Sequence, residues 1–350
     1  MANVEYCPVK AIAKVRSEPG VEIIDVPDSE TAPGMVKIRV QAASVCGTDL
    51  HIYNWDAWAA SRVHPPRIIG HEFCGEVVEV GAGVTTHQPG DFVASESHIV
   101  CGRCKQCLSG QGHVCVNTQI LGVDVDGGFR PFAVIPATNA VHTDRSIPPR
   151  IAGFQDALGN AVHTATAGPV EGQTLLITGM GPIGLFAASV CKALGAAKVI
   201  ATEVSPYRIE LAHQIGVDLV LNPKRDDVRG ILSRQAPGGV DGVLEMSGHA
   251  SSLDLAVDTV RPGGRISLLG VYATSPLPVD VNTLIFQGVD VQGIVGRRLW
   301  DTWTTMQQLL QSGKLVLEPV ITHEMPYTEF HVAMELMNAG KAGKVVFTFQ

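Results

Sequence analysis

The sequence from Leu175 to Glu203, LLITGMGPIGLFAASVCKALGAAKVIATE, decides the fold. Its opening residues are mostly apolar and predict a short buried strand over Leu175–Thr178. Helical spacing follows over Pro182–Leu194, and a second strand is predicted over Lys198–Thr202. A strand, a helix and a strand in this order predict a right-handed crossover and a parallel sheet.

The same alternation continues towards the C-terminus. The further predicted elements are a helix over Tyr207–Ile215 and strands over Val240–Met246, Arg265–Gly270 and Val289–Ile294. We therefore predict an α/β fold, with a doubly wound parallel sheet of the Rossmann type in this part of the chain.

The flanking sequence has a different pattern of residues. The first 150 residues contain short β-rich segments, such as Met35–Ala42 and Gly75–Val80, broken by glycine, proline and aspartate. Beyond residue 298 we predict a helix over Asp301–Ser312 and a strand over Lys344–Phe349 that returns to the first domain. Since 350 residues are too many for one ordinary core, we expect residues 1–152 with 299–350 to form one domain around an inserted domain, 153–298.

Charge and hydropathy exclude several classes of protein. The formal net charge is −8 and no Lys/Arg run is present, so nucleic acid is not an expected partner. No apolar stretch approaches the roughly 18–20 residues needed to cross a bilayer. The N-terminal sequence MANVEYCPVK lacks the pattern of a signal peptide, and we expect a cytoplasmic protein.

Three glycines form the motif Gly179-Met-Gly181-Pro-Ile-Gly184 between the first strand and its helix. Glycines at these positions allow a tight turn, close approach of a pyrophosphate and close packing of the helix on the strand. The motif alone fits an ordinary glycine-rich turn equally well. Glu203, at the tip of the second strand, favours a dinucleotide site because a carboxylate there can accept hydrogen bonds from ribose and repels a 2′-phosphate. NAD is therefore favoured over NADP, although the nearby Arg208 could bind a phosphate.

Four cysteines lie within fifteen residues. They are Cys101, Cys104, Cys107 and Cys115. This spacing can close an all-thiolate shell around Zn²⁺, which leaves no position open for chemistry and predicts a structural site. An iron–sulfur cluster could use similar spacing, and disulfides are the remaining alternative.

A second set of possible ligands has the composition of an open zinc site. Cys46 is followed by Thr48 and His51, and His71 lies between Gly70 and Glu72. A thiolate and an imidazole leave room for a carboxylate or water on the same ion. Taken alone, Cys46 and His71 could also be a buried thiol and a core histidine.

Together these motifs resemble the zinc-containing medium-chain dehydrogenase/reductase superfamily over essentially the whole chain. The resemblance is carried by Gly70–Val78 (GHEFCGEVV), the four-cysteine lobe and the glycine motif. It implies a GroES-like β-rich catalytic domain, a Rossmann NAD-binding domain, one catalytic and one structural zinc, and a homotetramer.

Longer segments are similar to the branch of the superfamily that oxidises the hydroxyl of L-threonine. These segments are Cys46–Ala59, Leu158–Ala165, Leu244–His249, Ile285–Arg298 and Trp303–His323. The resemblance thus implies reduction of NAD and formation of 2-amino-3-oxobutanoate. A polyol, a diol or an aminocyclitol is the alternative substrate, and a non-catalytic zinc-binding scaffold is the alternative of another class.

The resemblance also implies roles for individual residues. Cys46 and His71 match the catalytic zinc ligands, and Glu72 matches a carboxylate that can ligate zinc while substrate or water exchanges. Asp156 matches an acidic residue near the metal and the substrate amino group; it is one methylene shorter than the usual glutamate, so direct ligation and a water-mediated role both remain open.

The remaining implied roles concern proton transfer, substrate choice and cofactor binding. Thr48 and His51 match a proton relay, and His98 matches a histidine linked to substrate choice, although it could equally be an ordinary loop histidine. The positions that match the NAD-lining set, besides the three glycines, are Ile183, Glu203, Arg208, Leu269, Gly270, Val271, Ile294 and Val295.

Overall fold

A computed structural model describes residues 8–349, which form two compact units. The first unit contains the described residues up to Ala157 together with those from Ile321 onward, and the second contains Leu158–Val320. Both boundaries lie further along the chain than the predicted 152/153 and 298/299. At the second boundary, the backbone N–H of Val316 donates to Ser189 Oγ at 2.8 Å and ties this segment to the second unit.

The elements before residue 167 are mostly short. The strands are β1 (Val9–Lys14), β2 (Glu22–Val26), β3 (Met35–Ser44), β4 (Arg67–Ile68), β5 (Glu72–Val80), β6 (Phe92–Ser95), β7 (His98–Ile99), β8 (Gln119–Ile120), β9 (Phe132–Pro136) and β10 (Ala140–His142). The helices are α1 (Gly47–Asn54), α2 (Ala57–Arg62), α3 (Lys105–Leu108), α4 (Pro149–Ala152) and α5 (Gln155–Thr166).

From residue 174 strands and helices alternate. The strands are β11 (Thr174–Thr178), β12 (Lys198–Thr202), β13 (Leu219–Leu221), β14 (Val240–Glu245), β15 (Val260–Leu268), β16 (Asp290–Gly293), β17 (Ile321–Pro326) and β18 (Lys344–Thr348). The helices are α6 (Pro182–Ala193), α7 (Pro206–Ile215), α8 (Val228–Gln235), α9 (Ala250–Thr259), α10 (Val281–Gln287), α11 (Asp301–Gln311) and α12 (Phe330–Asn338). Short 3₁₀ turns lie at Gly112–Val114, Ala137–Asn139, Glu318–Val320 and Tyr327–Glu329.

The sheet of the second unit is parallel throughout, with the strand order β13-β12-β11-β14-β15-β16. This order confirms the predicted doubly wound fold, and it places the reversal of winding between β11 and β14. β15 begins at Val260 rather than at the predicted Arg265, because Pro262, Gly263 and Gly264 form a register irregularity within the strand instead of a turn before it.

The main sheet of the first unit is largely antiparallel, with the order β10-β6-β5-β3-β18-β17 and with β9 also paired to β3. β18 lies between β3, to which it is antiparallel, and β17, to which it is parallel. Its buried Phe347 packs edge-on against Phe129, with ring centroids 5.3 Å apart. The predicted C-terminal strand thus completes the sheet that carries the first unit's core.

In the described part of the chain, no helix is both long and apolar enough to cross a membrane.

Candidate active site

Helix α1 begins at one predicted ligand and carries two further site residues. Cys46 is its N-cap, and the Cys46 N–H donates to Asp49 Oδ2 at 2.9 Å. Thr48 and His51 lie one turn apart, so their side chains share a face of the helix. The helix start therefore fixes the Cys46 side chain and the Asp49 carboxylate together.

A glycine and a strand pairing place His71 and Glu72 beside this helix start. Gly70 has φ +91°, and a Cβ there would lie 2.2 Å from the Phe129 ring, so only glycine fits. Glu72 then begins β5 and pairs with Ser44, the last residue of β3. Since Cys46 follows Ser44 by two residues, the sheet brings the thiol and the carboxylate to one place.

The ligand atoms of Cys46, His71 and Glu72 all lie within 4.8 Å of one another. His71 Nε2 is 3.9 Å from Glu72 Oε1, close to the roughly 3.4 Å between two ligands of a tetrahedral zinc ion. The second imidazole nitrogen, His71 Nδ1, is 3.8 Å from Asp49 Oδ1. A carboxylate behind a histidine is a common arrangement around bound zinc.

Three buried polar atoms at this place have no hydrogen-bond partner among the described residues: Asp49 Oδ1, His71 Nδ1 and Glu72 Oε1. Buried polar atoms are normally paired, so this cluster calls for a further group. A cation bound by Nε2 and Oε1 and a small movement of Asp49 towards Nδ1 would satisfy all three. The residues present therefore fit a zinc ion.

The electrostatic setting also favours a positive charge. Burial disfavours the charged imidazole, but the Asp49 carboxylate and the Cys46 thiol outweigh it and raise the pKa of His71 to about 10. Desolvation raises the pKa of the fully buried Asp49 above its ordinary value. A bound cation would lower both of these raised pKa values, because its positive charge compensates the buried acidic groups.

The two oxygens of Glu72 have different surroundings. Oε2 accepts hydrogen bonds from the Ser44 hydroxyl and the Lys344 ammonium, while Oε1 has no partner within residues 8–349. Lys344 is itself buried and also donates to Val45 O at 3.1 Å. Although burial opposes ionisation, the charge of Lys344 lowers the pKa of Glu72 and that of Glu72 raises the pKa of Lys344. The pair holds Glu72 ionised with one oxygen aimed at the ligand group.

Asp49 and Lys344 were missed at the sequence level. For Asp49 a signal existed, since it lies three residues after the N-cap Cys46, where a side chain can return to the N-cap backbone. For Lys344 no local signal existed, because only the pairing of β18 beside β3 brings it to Glu72.

Asp156 lies outside the three-residue ligand group. It is buried, and its Oδ1 accepts the Ser97 N–H at 3.0 Å. The adjacent turn is held from both sides, since the His98 N–H donates to Glu96 Oε1 at 2.8 Å and Asn139 Nδ2 donates to His98 O at 3.0 Å. Asp156 therefore supports the backbone of the turn that carries His98.

His51 is partly exposed and contacts an acidic residue that follows the helix. Its Nδ1 is 2.5 Å from Asp56 Oδ2. At the start of the same helix, Thr48 Oγ1 is 3.9 Å from Cys46 Sγ. Thr48 therefore lies beside Cys46, and the His51 side chain, one turn further along α1, reaches solvent.

The four cysteines of the lobe come together as predicted. Cys104 Sγ lies 3.5 Å from Cys107 Sγ and 3.8 Å from Cys115 Sγ, and Cys115 lies 3.5 Å from Cys101. A tetrahedral zinc with bonds of about 2.3 Å has sulfur–sulfur edges of about 3.8 Å. The Asn117 amide and neighbouring backbone amides lower the pKa of Cys101 to about 5, whereas desolvation and the adjoining thiols raise that of Cys107 to about 12. The seven described cysteines form no disulfide, and this donor set fits zinc.

The glycine motif in the second unit has the geometry that a dinucleotide needs. Gly179 has φ +86°, and a Cβ at Gly184 would lie 2.0 Å from Gly179 O, so the helix packs directly on the loop. A Cβ at Gly181 would meet no protein atom within 4 Å. The open space is therefore at the glycine over which a pyrophosphate is expected.

Glu203 is more firmly held than the sequence suggested. Its Oε2 accepts the Met180 N–H at 2.8 Å, and its Oε1 accepts the N–H groups of Val204 and Ser205 at 2.8 and 2.9 Å. Each carboxylate oxygen can accept more than one hydrogen bond, so the side chain can fix the glycine loop and still bind ribose.

A cavity of about 630 Å³ opens at the carboxyl edge of this sheet. Of the predicted cofactor residues it is lined by Gly179, Gly181, Glu203 and Arg208. The others lie in the first turn of α6 or directly after β15 and β16 at the same edge; they are Ile183, Gly184, Leu269, Gly270, Val271, Ile294 and Val295. Lys224 and His249 also line the cavity and were missed, Lys224 because the short strand β13 before it was not predicted.

Comparisons with known proteins match both halves of the chain. Residues 182–312 match the zinc-binding dehydrogenase family model, and residues 32–145 match that of the alcohol dehydrogenase GroES-like domain. An L-threonine 3-dehydrogenase of Pyrococcus abyssi is 50% identical over 96% of this chain and 97% of its own length.

Solved structures show the same fold. A short chain alcohol dehydrogenase of Escherichia coli CFT073 complexed with NADH has a TM-score of 0.89 and 28% identity, covering 98% of this chain and 99% of its own. A Sinorhizobium meliloti 1021 protein of the zinc-binding dehydrogenase type, bound to NADP, has a TM-score of 0.90 and 26% identity, covering 98% and 100%.

Proposed function

The chain belongs to the zinc-containing medium-chain dehydrogenase/reductase superfamily, and we propose that it oxidises the secondary hydroxyl of L-threonine with NAD⁺. The products are 2-amino-3-oxobutanoate, NADH and a proton. The observation that carries the proposal is the ligand group of half-buried Cys46 with buried His71 and Glu72, in a chain half identical to an L-threonine 3-dehydrogenase over nearly its whole length.

We propose Cys46 Sγ and His71 Nε2 as ligands of a catalytic zinc, with Glu72 Oε1 as a third ligand that can give way to water or substrate. When bound, zinc supplies a Lewis acid that stabilises the deprotonated alcohol oxygen, and NAD⁺ accepts the hydride. Asp49 orients the imidazole, and Lys344 orients the carboxylate. The four-cysteine lobe would hold a second, structural zinc.

Proton removal is the task of helix α1. Thr48 would take the hydroxyl proton and pass it to His51, which lies one turn further and is exposed enough to release it to water. A short chain of this kind is general-base catalysis, which typically contributes about 10²- to 10⁴-fold to the rate.

The cofactor proposal is NAD, supported by Glu203 and the glycine loop. The Gly179–Gly184 loop and the start of α6 would hold the pyrophosphate. Glu203 would bind ribose and disfavour a 2′-phosphate, whereas Arg208 and Lys224 on the same cavity wall could favour one. We place Ile183, Leu269–Val271 and Ile294–Val295 along the rest of the cofactor.

Substrate choice is assigned to two further residues. We propose that Asp156 faces the substrate amino group, directly or through water, and that His98 contributes to selection. Support comes from the burial of Asp156 and from its hydrogen bond to Ser97, next to His98.

We also propose a homotetramer in the cytoplasm. Strand β16 ends the described sheet order, and its residues are all exposed, which leaves an edge for pairing. Phe286 and Ile285, just before it, are 87% and 66% exposed. The unbridged cysteines suit a reducing compartment.

The experiment that tests the function measures NADH formation with L-threonine, 2,3-butanediol, sorbitol and an inosamine, each with NAD⁺ and NADP⁺. We expect kcat/KM for L-threonine with NAD⁺ to exceed every other combination by about 100-fold. A higher value for a polyol, diol or aminocyclitol would overturn the substrate, and comparable turnover with NADP⁺ would overturn the cofactor. No NADH from any substrate with fully zinc-loaded protein would favour the scaffold alternative.

A further inference from the structure

The side chain of Asp56 joins two structures that follow each other along the chain. Its Oδ2 lies 2.5 Å from His51 Nδ1, at the end of α1. Its Oδ1 accepts the Ala59 N–H at 2.9 Å and so caps the start of α2. Because both oxygens have a defined partner, the carboxylate cannot turn without losing one of them.

The backbone between the two helices imposes this contact. Trp55 has φ +54°, a left-handed conformation that ends α1, and the Asp56 N–H then donates to His51 O at 3.4 Å. The chain therefore folds back, and the side chain five residues after His51 reaches its ring. The Trp58 ring also contacts the His51 imidazole edge-on, with ring centroids 6.0 Å apart.

The contact decides where the proton on the imidazole lies. The Ala59 amide, together with the hydrogen bond from His51, lowers the pKa of Asp56, so the carboxylate carries no proton to donate. His51 Nδ1 must therefore be the donor. A neutral imidazole that donates from Nδ1 has its lone pair on Nε2, which is then free to accept a proton.

We propose that Asp56 is a positioning residue that holds His51 in the Nδ1–H tautomer, so that Nε2 accepts the proton leaving the substrate. This inference rests on the proposed function of His51. The proton moves from the substrate hydroxyl through the Thr48 hydroxyl to Nε2 and then to water, while the Nδ1–H bond stays intact. Asp56 itself neither gains nor loses a proton.

Two substitutions separate this role from helix capping. Serine caps helices about as well as aspartate but is too short to reach the ring, so Asp56→Ser keeps α2 and frees His51. In Asp56→Asn the amide oxygen can cap Ala59 while the NH₂ group faces Nδ1, which favours the opposite tautomer. Asp227→Asn is the matched control, because Asp227 caps α8 through Gly230 in the same way without touching a histidine.

The first measurement is the ¹⁵N spectrum of the histidine-labelled enzyme, with the His51 resonances identified by their absence in His51→Asn. We expect the Nδ1–H tautomer in the wild type and Asp227→Asn, the Nε2–H tautomer in Asp56→Asn, and a mixture in Asp56→Ser. The same ring tautomer in the wild type and in both Asp56 variants would overturn the proposal.

The second measurement is steady-state oxidation of L-threonine. We expect kcat to fall about tenfold or more in both Asp56 variants, with KM and the melting temperature nearly unchanged and the control at wild-type rate. Unchanged kcat in both variants, alongside a large loss in His51→Asn, would also overturn it. A wild type inactive on every substrate would refute the proposed function instead, and the spectrum would still decide whether Asp56 sets the tautomer.

Discussion

At Glu72 the two oxygens of one carboxylate face different partners. Oε2 is bound by Ser44 and Lys344, and Oε1 is left for the ligand group with Cys46 and His71. Lys344 and Glu72 are both fully buried, so each charge depends on the other. Removing one partner of a buried pair usually costs more than removing both, because the survivor is left uncompensated.

Lys344→Met should therefore destabilise the protein. We expect the free energy of unfolding to fall by about 3–5 kcal/mol, since Glu72 keeps its buried charge. Adding Glu72→Gln should recover part of that loss. Urea denaturation of the single and double variants and of Glu72→Gln alone, at equal zinc content, measures the coupling between the two charges. A Lys344→Met variant as stable as the wild type would contradict the prediction.

Cys46→Ser should leave the fold intact and empty one metal site. We expect zinc content to fall from about two to about one ion per chain and L-threonine oxidation to become undetectable, because the thiolate ligand is lost. Metal analysis and an NADH assay check this. Cys191→Ala, which removes a buried thiol in the second unit, is the control and should keep both ions and activity.

Some of these residues and contacts could be predicted from the sequence, and others could not. Cys46, His71 and Glu72 could be predicted because each lies in a short motif with glycine or acidic neighbours. The Asp56 contact with His51 could not be predicted, since it depends on a left-handed residue between two helices. Lys344 could not be predicted because a sheet pairing brings it to Glu72.

At the scale of elements, the loop before α6 uses its glycines for different purposes. Gly184 allows the helix to touch the loop, whereas Gly181 faces open space. The predicted strand–helix–strand unit corresponds to β11, α6 and β12, and its predicted bounds are close to those in the structure. The departures occur where glycine or proline lies inside a strand, as at Pro262–Gly264, or where a strand is as short as β13.

Substituting the two glycines should separate packing from cofactor binding. Gly184→Ala would place a methyl group 2.0 Å from Gly179 O, so we expect a stability loss of about 1–3 kcal/mol and weaker NADH binding. Gly181→Ala has room in the protein, so we expect unchanged thermal stability and NADH binding at least about tenfold weaker, or 1.4 kcal/mol. Thermal unfolding and NADH fluorescence titration test both. Equal melting temperatures in the two variants would show that the close approach of residue 184 to Gly179 O does not affect stability.

At the scale of the whole molecule, the homotetramer that we propose depends on the exposed apolar residues around β16. Phe286→Asp would place a charge where we propose that subunits meet, so we expect the solution mass to drop from about four times the 37.1 kDa chain to a smaller species. Light scattering measures it. Val332→Asp, on α12 of the first unit, is the control and should keep the full mass. A wild type that is already a monomer would refute the assembly.

The position of β18 between β3 and β17 has a consequence for synthesis. A ribosome must translate all of Leu158–Val320 before Lys344 emerges. The nascent first unit therefore carries an open edge at the end of β3 and an unneutralised Glu72, while the contiguous second unit can already fold. Maturation of the metal pocket is thus a late event, and slow translation between Val320 and Lys344 would prolong the time that the open sheet edge is exposed to other chains.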